Sequence, residues 1–404
     1  MPAVREAHSA IYSGYRPFFL FCKLTGCCSI QGVWTKTLFD ELKVKMTLWS
    51  VLYSFLLLTC YLWTLVLFVE VLVKKHFRHP TSPISTAIGL FYGYYVLLYL
   101  QSTVNAFTLV RHAGALLAII RDCSSLETQI GLDKDGVRRR LIIASRGCLG
   151  FMVLDCIKSL TLAYRVTPAA WLHLSWMHDW VKIVCVAFFL IGVMLVGLWF
   201  SMSFWMIVYN AYVLRHYFAR VNELLVGGLS MGGDCGRALQ RVRWYQAEIR
   251  DIVSRFNSVL GLQSTFYYGG SVYFLCATVF GAFLSNIGVF ERIVRSVFAI
   301  TMAVGLLISA RAGHKMTSET SKKGEVPRCL FAFLRVKKCT PIFIWFSHSQ
   351  LHLLLVTSEA GEKAFTGCGL FKVNLSMLVA ISGAVITYTV VLVQTDEDAV
   401  RQCV

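Results

Sequence analysis

Long blocks of apolar residues, separated by polar segments rich in Lys and Arg, make up most of the chain. A helix needs about 20 mostly apolar residues to cross roughly 30 Å of hydrocarbon, and seven blocks reach or approach that length. They are Thr47–Val73, Ile84–Val110, Leu141–Tyr164, Trp180–Val213, Thr265–Phe290, Ile293–Ala310 and Val373–Gln394. The pattern therefore predicts an all-α membrane protein with seven transmembrane helices.

The polar segments between the blocks differ sharply in positive charge. Segments 1–46, 111–140, 214–264 and 311–372 together hold 29 Lys and Arg, whereas the loops on the other side and the tail 395–404 together hold six. Positively charged loops tend to stay in the cytoplasm. We therefore expect a cytoplasmic N-terminus and an extracellular C-terminus, the reverse of a G-protein-coupled receptor.

The composition excludes several other classes of protein. Of 404 residues, 56% are hydrophobic and only 15% are charged, with a mean hydropathy of +0.62, whereas soluble domains are about 25% charged. The formal charge of +17 is spread over the predicted cytoplasmic segments, so it does not indicate nucleic-acid binding. Of the 14 cysteines only Cys403 lies in a predicted outside segment, and we expect no extracellular disulfide framework.

The same reading divides the chain into cytoplasmic and membrane parts. The fourth span continues without a helix breaker to about Val226, the glycine-rich stretch Gly227–Gly236 predicts a connector, and Arg237–Val259 predicts an amphipathic helix that leads into the fifth span. Ile342–Val356 predicts a further helix before the last span. The divisions are 1–46 (cytoplasmic), 47–213 (four spans), 214–264 (cytoplasmic helical extension), 265–310 (two spans), 311–372 (cytoplasmic loop and helix), 373–394 (last span) and 395–404 (extracellular tail).

Charged residues inside the predicted spans mark the first candidate site. Asp155 and Lys158 are three residues apart on the third span, so they can pair on one helix face. An intramembrane charge is costly unless it is paired or solvated. The pair either fixes helix packing or lines a water-filled outer cavity, and the aromatic residues at the same level form either an interfacial belt or the wall of a ligand pocket. The pocket candidates are Tyr92, Tyr95, Asp155, Lys158, Trp176, Trp180 and Lys182.

No residue pattern indicates an enzyme, a metal site or a cofactor. His348 and His352 are four residues apart, but Ser349 stands where a zinc hydrolase has a Glu. The stretch Gly227–Gly236 lacks the Lys-Ser/Thr pair of a phosphate-binding loop. We therefore expect no catalytic residues and no bound cofactor.

The C-terminal segment resembles the insect gustatory receptor family. The family's signature is Thr-Tyr, five mostly apolar residues and Gln-Phe at the end of the last span; here Thr387-Tyr388, five residues and Gln394 match it, and Cys368–Phe371 (Cys-Gly-Leu-Phe) is also similar. Thr395 stands where the family has Phe. The length, the seven spans and the orientation agree with the resemblance.

The resemblance implies a ligand-gated, non-selective cation channel in the plasma membrane, a homo- or heterotetramer whose last spans surround the pore. It implies a small-molecule tastant, by default a bitter or plant-derived compound, and membrane lipid as partners. Helix periodicity places Thr387, Val391 and Gln394 on one face and Tyr388, Val391 and Thr395 on another. Val391 and Gln394 are the first candidates for pore-facing residues.

Two further readings concern the outer end of the pore and the function class. Asp396, Glu397 and Asp398 follow the last span and form either a solvated tail or a cation-attracting ring. The alternative functions are an odorant-receptor-type channel, or a seven-span signalling receptor or transporter of inverted topology without its own pore. The last span has no Pro, unlike the kinked seventh helix of a G-protein-coupled receptor.

Overall fold

Nine helices and two short hairpins make up the described part of the chain in a computed structural model, which covers residues 9–27, 30–31, 42–45, 47–76, 86–132, 134–173, 178–230, 235–283, 289–321 and 364–402. The helices are α1 (Ala10–Leu24), α2 (Leu48–His76), α3 (Thr86–Gln129), α4 (Lys134–His173), α5 (Asp179–Phe200), α6 (Met202–Ser230), α7 (Cys235–Phe283), α8 (Val289–Ser321) and α9 (Leu375–Gln402). The hairpins are β1 (Ile30–Gln31) with β2 (Lys43–Val44), and β3 (Thr366–Gly367) with β4 (Phe371–Lys372), both antiparallel.

Each predicted span falls on one of the long helices, with two exceptions: the fourth is divided between α5 and α6, and the fifth extends beyond the end of α7 at Phe283. Within the described residues, five helical stretches are long and apolar enough to cross a membrane, on α2, α3, α5 with α6, α8 and α9. The third and fifth predicted spans lie on α4 and α7, which are less apolar. Arg146, Asp155 and Lys158 interrupt the span on α4, and Tyr and Gly residues dilute the one on α7.

Several helices are much longer than a membrane crossing requires. Helix α3 has 44 residues and α7 has 49, which at 1.5 Å per residue is roughly 65 Å and 75 Å. The predicted helix Arg237–Val259 is part of α7 and runs into the fifth span without a break. The long helices therefore continue out of the bilayer into a helical assembly, as expected from the scarcity of Pro.

The structure corrects several predicted boundaries. Helix α6 extends to Ser230, so the glycine-rich connector is mostly helical on either side of the undescribed residues 231–234. Helix α4 continues through Pro168 to His173, which makes most of the predicted outside loop 165–179 helical. Phe290 belongs to α8 rather than to the fifth span, and α9 runs past Gln394 to Gln402, so the predicted tail begins as helix. The predicted helix Ile342–Val356 lies outside the described residues.

Two helices form the centre of the bundle. Helix α5 packs against α2, α3 and α4, and α6 packs against α4, α7 and α8. The first ten residues of α6, from Met202 to Ala211, are all buried, as expected of a helix that is apolar around its whole circumference. The largest fully buried side chains include Trp205 and Tyr209 of this helix, so the core of the protein lies around α6.

The N-terminal helix α1 completes this core, although the sequence reading had treated residues 1–46 only as a cytoplasmic segment. Its Phe18 ring stacks on Trp205 of α6 with 3.9 Å between ring centroids, and its Tyr15 ring meets Tyr209 edge-on at 5.1 Å. Gly14 allows this approach, because a methyl group there would lie 2.0 Å from the Tyr209 hydroxyl. Helix α1 is thus an integral part of the fold.

Candidate functional site

The last helix, α9, is attached to the rest of the chain by one face. It contacts α7 and α8, and Ile381 and Thr389 are its buried side chains among those described. Only 11% of its most apolar stretch is buried within the chain, against 28–44% for the other four candidate spans. Most of α9 therefore faces lipid or other molecules.

The predicted pore residues lie on the part of α9 that the chain itself leaves uncovered. Thr387 and Gln394 are exposed, as are Tyr388 (61%) and Val391 (50%). Thr389, by contrast, is 8% exposed and faces the bundle. The backbone of Thr395 and of Asp396, Glu397 and Asp398 is helical, and their side chains lie outside the described part.

The structure pairs Asp155 with Lys158 across one turn of α4. Asp155 is 4% exposed and also accepts a 2.5 Å hydrogen bond from the Ser201 hydroxyl. The Lys158 ammonium lies 5.8 Å from the centre of the Phe298 ring on α8, within range of a cation–π attraction. The pair therefore links α4 to α8, and the Asp155 carboxylate contacts the break between α5 and α6.

That break is a feature that the sequence did not predict. Ser201 separates α5 from α6. The polar side chain of Asn105, on α3, forms hydrogen bonds with residues on both sides of this break. The Asn105 amide donates to the carbonyls of Trp199 (2.8 Å) and Phe200 (3.1 Å) and accepts from the Ser203 hydroxyl at 2.7 Å. Backbone groups freed within a membrane bundle need such partners. Asn105 and Asp155 thus hold the α5–α6 break from two sides.

The described pocket candidates other than Asp155 and Lys158 make separate contacts. Tyr95 is buried and its ring packs on Phe68 of α2 at 4.3 Å. Trp180 is 70% exposed at the start of α5. Lys182 binds the exposed Asp179 carboxylate at 2.8 Å. The side chain of Tyr92 and the whole of Trp176 lie outside the described residues.

A second buried carboxylate, Glu127 near the end of α3, holds the N-terminal helix. It is 1% exposed and accepts hydrogen bonds from the backbone N–H groups of Ala10 (2.8 Å) and Ile11 (2.9 Å), from the Ser9 hydroxyl (3.0 Å) and from the Tyr217 hydroxyl (2.9 Å). A carboxylate at a helix N-terminus supplies acceptors for N–H groups that lack intrahelical partners. Glu127 therefore locks α1 to α3 and α6.

An ion pair joins α3 to α7 nearby. The Arg255 guanidinium binds the carboxylates of Asp122 at 2.5 Å and Asp251 at 2.8 Å. Burial alone would lower the pKa of Arg255, but the hydrogen bond from its guanidinium to Asp122 and the charges of both carboxylates raise it. Arg255 therefore stays charged and fixes α7 beside the end of α3.

The described residues contain neither a disulfide bond nor a cluster of side chains that could bind a metal ion. The nine cysteines whose side chains are described are all free thiols, and within the same ranges no group of three or more His, Cys, Asp and Glu side chains could hold a metal ion. His348 and His352 fall outside those ranges. The candidate site thus consists of the exposed face of α9 and the charged, aromatic contacts around Asp155.

Two solved structures share the fold of this chain. The chain is similar in fold to the insect olfactory receptor OR5 from Machilis hrabei, with 14% identity, a TM-score of 0.66, and coverage of 86% of this chain and 90% of that one. The structure of the same receptor in complex with eugenol matches with 14% identity, a TM-score of 0.65 and coverage of 96% and 99%. No curated protein matches the chain by sequence.

The family comparison covers almost the whole chain. A family model described as 7tm Chemosensory receptor matches residues 15–398, from the middle of α1 to the last turns of α9. The match and the apolar helices together make this a multi-pass membrane receptor rather than an enzyme. The chain belongs to the 7tm chemosensory receptor family.

Proposed function

We propose that this chain is a gustatory receptor of the plasma membrane that acts as a ligand-gated, non-selective cation channel for bitter or plant-derived compounds. The observation that carries the proposal is the exposure of α9, which has one attached face and a largely uncovered remainder. A helix that lines a pore between subunits must leave such a surface free in each single chain.

The chemistry of the uncovered surface supports this role. Ser376, Gly383, Thr387 and Gln394 are all exposed on α9, although polar groups facing lipid are costly. Small residues allow close approach of neighbouring helices, and hydroxyl and amide groups suit a water-filled path. This surface fits the packing of α9 helices from a homo- or heterotetramer around an axis.

Within that arrangement Val391 is the proposed gate, because a ring of apolar side chains can close a pore by dewetting. Gln394, one turn further toward the C-terminus, offers its amide oxygen to a partly dehydrated cation. Tyr388, Thr387 and Thr395 are the neighbouring positions of the same signature. Asp396, Glu397 and Asp398 lie on the following turn of helix and are proposed as an outer ring that attracts cations.

The proposed tastant site is on the outer half of α4 and α8, next to Lys158 and Phe298. Lys158 keeps 16% of its side-chain surface exposed while it is paired with Asp155. The Lys158 ammonium, the Phe298 ring and the adjacent α5–α6 break form a site at which a bound small molecule would shift the surrounding helices. The other predicted pocket residues, Tyr92, Tyr95, Trp176, Trp180 and Lys182, are proposed as separate contributors to tastant binding on the outer parts of the helices.

Two alternatives remain within this scheme. The C-terminal signature favours a gustatory receptor, whereas the likeness to OR5 favours an odorant-receptor-type channel with the same pore. A signalling receptor or transporter without its own pore would leave the polar surface of α9 unused.

Patch-clamp recording from cells that express the chain tests the proposal. A panel of alkaloids, plant glycosides, sugars and eugenol is applied, the last because OR5 has been solved with it. We expect at least one compound of the alkaloid or glycoside groups to evoke an inward current carried by both Na⁺ and K⁺. Replacing external cations by N-methyl-D-glucamine should abolish the inward current. A response that survives this replacement, or that a non-hydrolysable guanine nucleotide blocks, would contradict the channel.

A further inference from the structure

The Cys-Gly-Leu-Phe segment forms a hairpin at the base of α9. Strands β3 and β4 pair Thr366 with Lys372, and the turn between them is closed by a 2.8 Å hydrogen bond from the Leu370 N–H to the Gly367 carbonyl. Cys368 and Gly369 both have positive φ angles, 48° and 76°. Two consecutive left-handed residues make a tight turn, so the segment has one defined shape.

Asn257 of α7 holds this hairpin through both ends of its side-chain amide. Its Nδ2 donates to the Ala364 carbonyl at 3.0 Å, and its Oδ1 accepts from the Thr366 N–H at 3.1 Å. The Phe371 ring then packs edge-on against Tyr268, about three turns of α7 nearer the outside face in the predicted orientation, with 5.6 Å between centroids. The hairpin is therefore attached along α7 at two points.

Two glycines bring backbones into direct contact at the same place. A methyl group on Gly261 of α7 would lie 3.2 Å from the Cys368 nitrogen, and one on Gly313 of α8 would lie 2.3 Å from the Val373 carbonyl oxygen. Val373 lies two residues before the start of α9, and its own N–H donates to the Phe365 carbonyl at 2.8 Å. The base of α9 is thus fitted between α7 and α8 with no room for a side chain.

We propose that the β3–β4 hairpin is the coupling element that transmits movements of α7 and α8 to the last helix, with Asn257 as its positioning residue. This inference rests on the proposed function, because it assigns the hairpin a part in opening the pore. Above this base few α9 residues are buried. A displacement of α7 against α8 therefore reaches α9 through the rigid contacts of the hairpin at its base and through the one face by which α9 packs on these helices.

The test compares variants that loosen the hairpin with matched controls. Asn257→Asp keeps the acceptor for the Thr366 N–H and loses the donor to the Ala364 carbonyl, and Gly313→Ala displaces the base of α9. Gly269→Ala on α7 and Gly114→Ala on α3 are the controls, since a methyl group at either position meets nothing within 4 Å. Surface expression and melting temperature in detergent are measured for each.

The first readout is the basal Na⁺ current without ligand. A dewetted constriction requires close convergence of its helices, so displaced helix bases should make it leak. We expect Asn257→Asp and Gly313→Ala to raise the basal current about fivefold or more, the scale of ordinary coupling between sites, at normal surface expression. The glycine controls should leave it unchanged. If Gly313→Ala does not reach the surface, Asn257→Asp decides the question.

The second readout does not depend on ion conduction. The rate at which a membrane-impermeant thiol reagent modifies Gln394→Cys, in a Cys403→Ser background, is measured with and without the hairpin variants. Coupling predicts a change of about fivefold or more in this rate. Equal rates, with equal basal currents, would overturn the inference. A wild-type chain without any cation current would instead overturn the proposed function, and the labelling rates would still decide whether the hairpin positions α9.

Discussion

The Asp155 carboxylate accepts a 2.5 Å hydrogen bond from the hydroxyl of Ser201, the residue that separates α5 from α6. One buried acid therefore contacts both an ammonium group on its own helix and the break in the neighbouring one. Gly197, one turn before the break, allows this approach, because a methyl group there would lie 2.5 Å from the Ser159 hydroxyl and 3.1 Å from the Asp155 carbonyl oxygen. The charge pair and the bend form one structural unit.

Substitutions at this unit should differ in severity. Asp155→Ala leaves the half-buried Lys158 ammonium without its carboxylate, and we expect a loss of about 3 kcal/mol in the free energy of unfolding and little protein at the surface. Ser201→Ala removes one charge-assisted hydrogen bond and should cost about 2 kcal/mol. Melting curves in detergent and surface biotinylation measure both effects.

Two further variants separate structure from ligand binding here. Exchanging the charges (Asp155→Lys with Lys158→Asp) moves the carboxylate away from Ser201, so we expect only partial recovery of expression. Asp179→Ala, which removes an exposed acid from a similar pair on α5, should leave expression unchanged. Full recovery by the exchange would contradict the role of Ser201.

Glu127 should be the most important single attachment of the N-terminal helix. Glu127→Ala leaves four buried hydrogen-bond donors without an acceptor, and we expect a loss of about 3 kcal/mol or more together with early proteolytic cleavage within residues 9–27. Glu127→Gln should give a smaller loss because its amide oxygen still accepts. Glu223→Ala, at a 66% exposed acid paired with Arg220, is the control and should melt like the wild type. A proteolysis-resistant α1 in Glu127→Ala would refute this assignment.

The crossing of α2 and α5 depends on a small residue. A methyl group on Gly192 would lie 2.3 Å from the Cys60 carbonyl oxygen and 2.5 Å from the Thr64 methyl group. Gly192→Ala should therefore destabilise the bundle by about 2 kcal/mol. Gly147→Ala on α4 meets nothing within 4 Å, and its better helix propensity predicts a slight gain. The melting temperatures of the two variants should move in opposite directions, and equal shifts would contradict this packing.

The long helices could be predicted because burial in a bilayer depends on local composition. A block such as Thr47–Val73 identifies α2 almost to the residue. The pairing of Asp155 with Lys158 could be predicted for a similar reason, because side chains three residues apart lie next to each other on any helix. Extension of α7 through Arg237–Val259 followed from the absence of Pro and Gly clusters.

Other features depend on contacts between distant parts of the chain. Helix α1 is too short for a span, and the signal that could have found it is the spacing of Ile11, Tyr15, Phe18 and Cys22 on one face. Nothing near Ser201 marks a helix break, which is held by Asn105 from α3 and Asp155 from α4. Glu127 is one acid among many in the sequence, and only the packing of α1 gives it a role. The exposed surface of α9 could be assigned by periodicity, but not its attachment through Asn257.

The orientation of the chain in the membrane is a prediction from charge alone. The split of 29 basic residues against six predicts that an antibody reaches a tag before Met1 only in permeabilised cells. A tag after Val404 should be reached on intact cells. The opposite labelling pattern would reverse the sides assigned to the hairpin and to the outer acidic residues, and it would refute the proposed topology.

The basal current of Val391 variants tests the central claim, a cation pore lined by α9, most directly. Val391→Ser should keep the constriction wet and raise the ligand-free cation current about tenfold, which corresponds to about 1.4 kcal/mol in the gating equilibrium. Ile386→Ser is the matched control, because Ile386 is 66% exposed but lies about 140° around the helix from Val391. Gln394→Ala should alter the relative permeability of Na⁺ and K⁺, and Thr395→Phe should lower the basal current. At normal surface expression, we expect a raised basal current in Val391→Ser and an unchanged one in Ile386→Ser. Equal basal currents in the two serine variants, together with unchanged ion permeability in Gln394→Ala, would contradict a pore lined by α9.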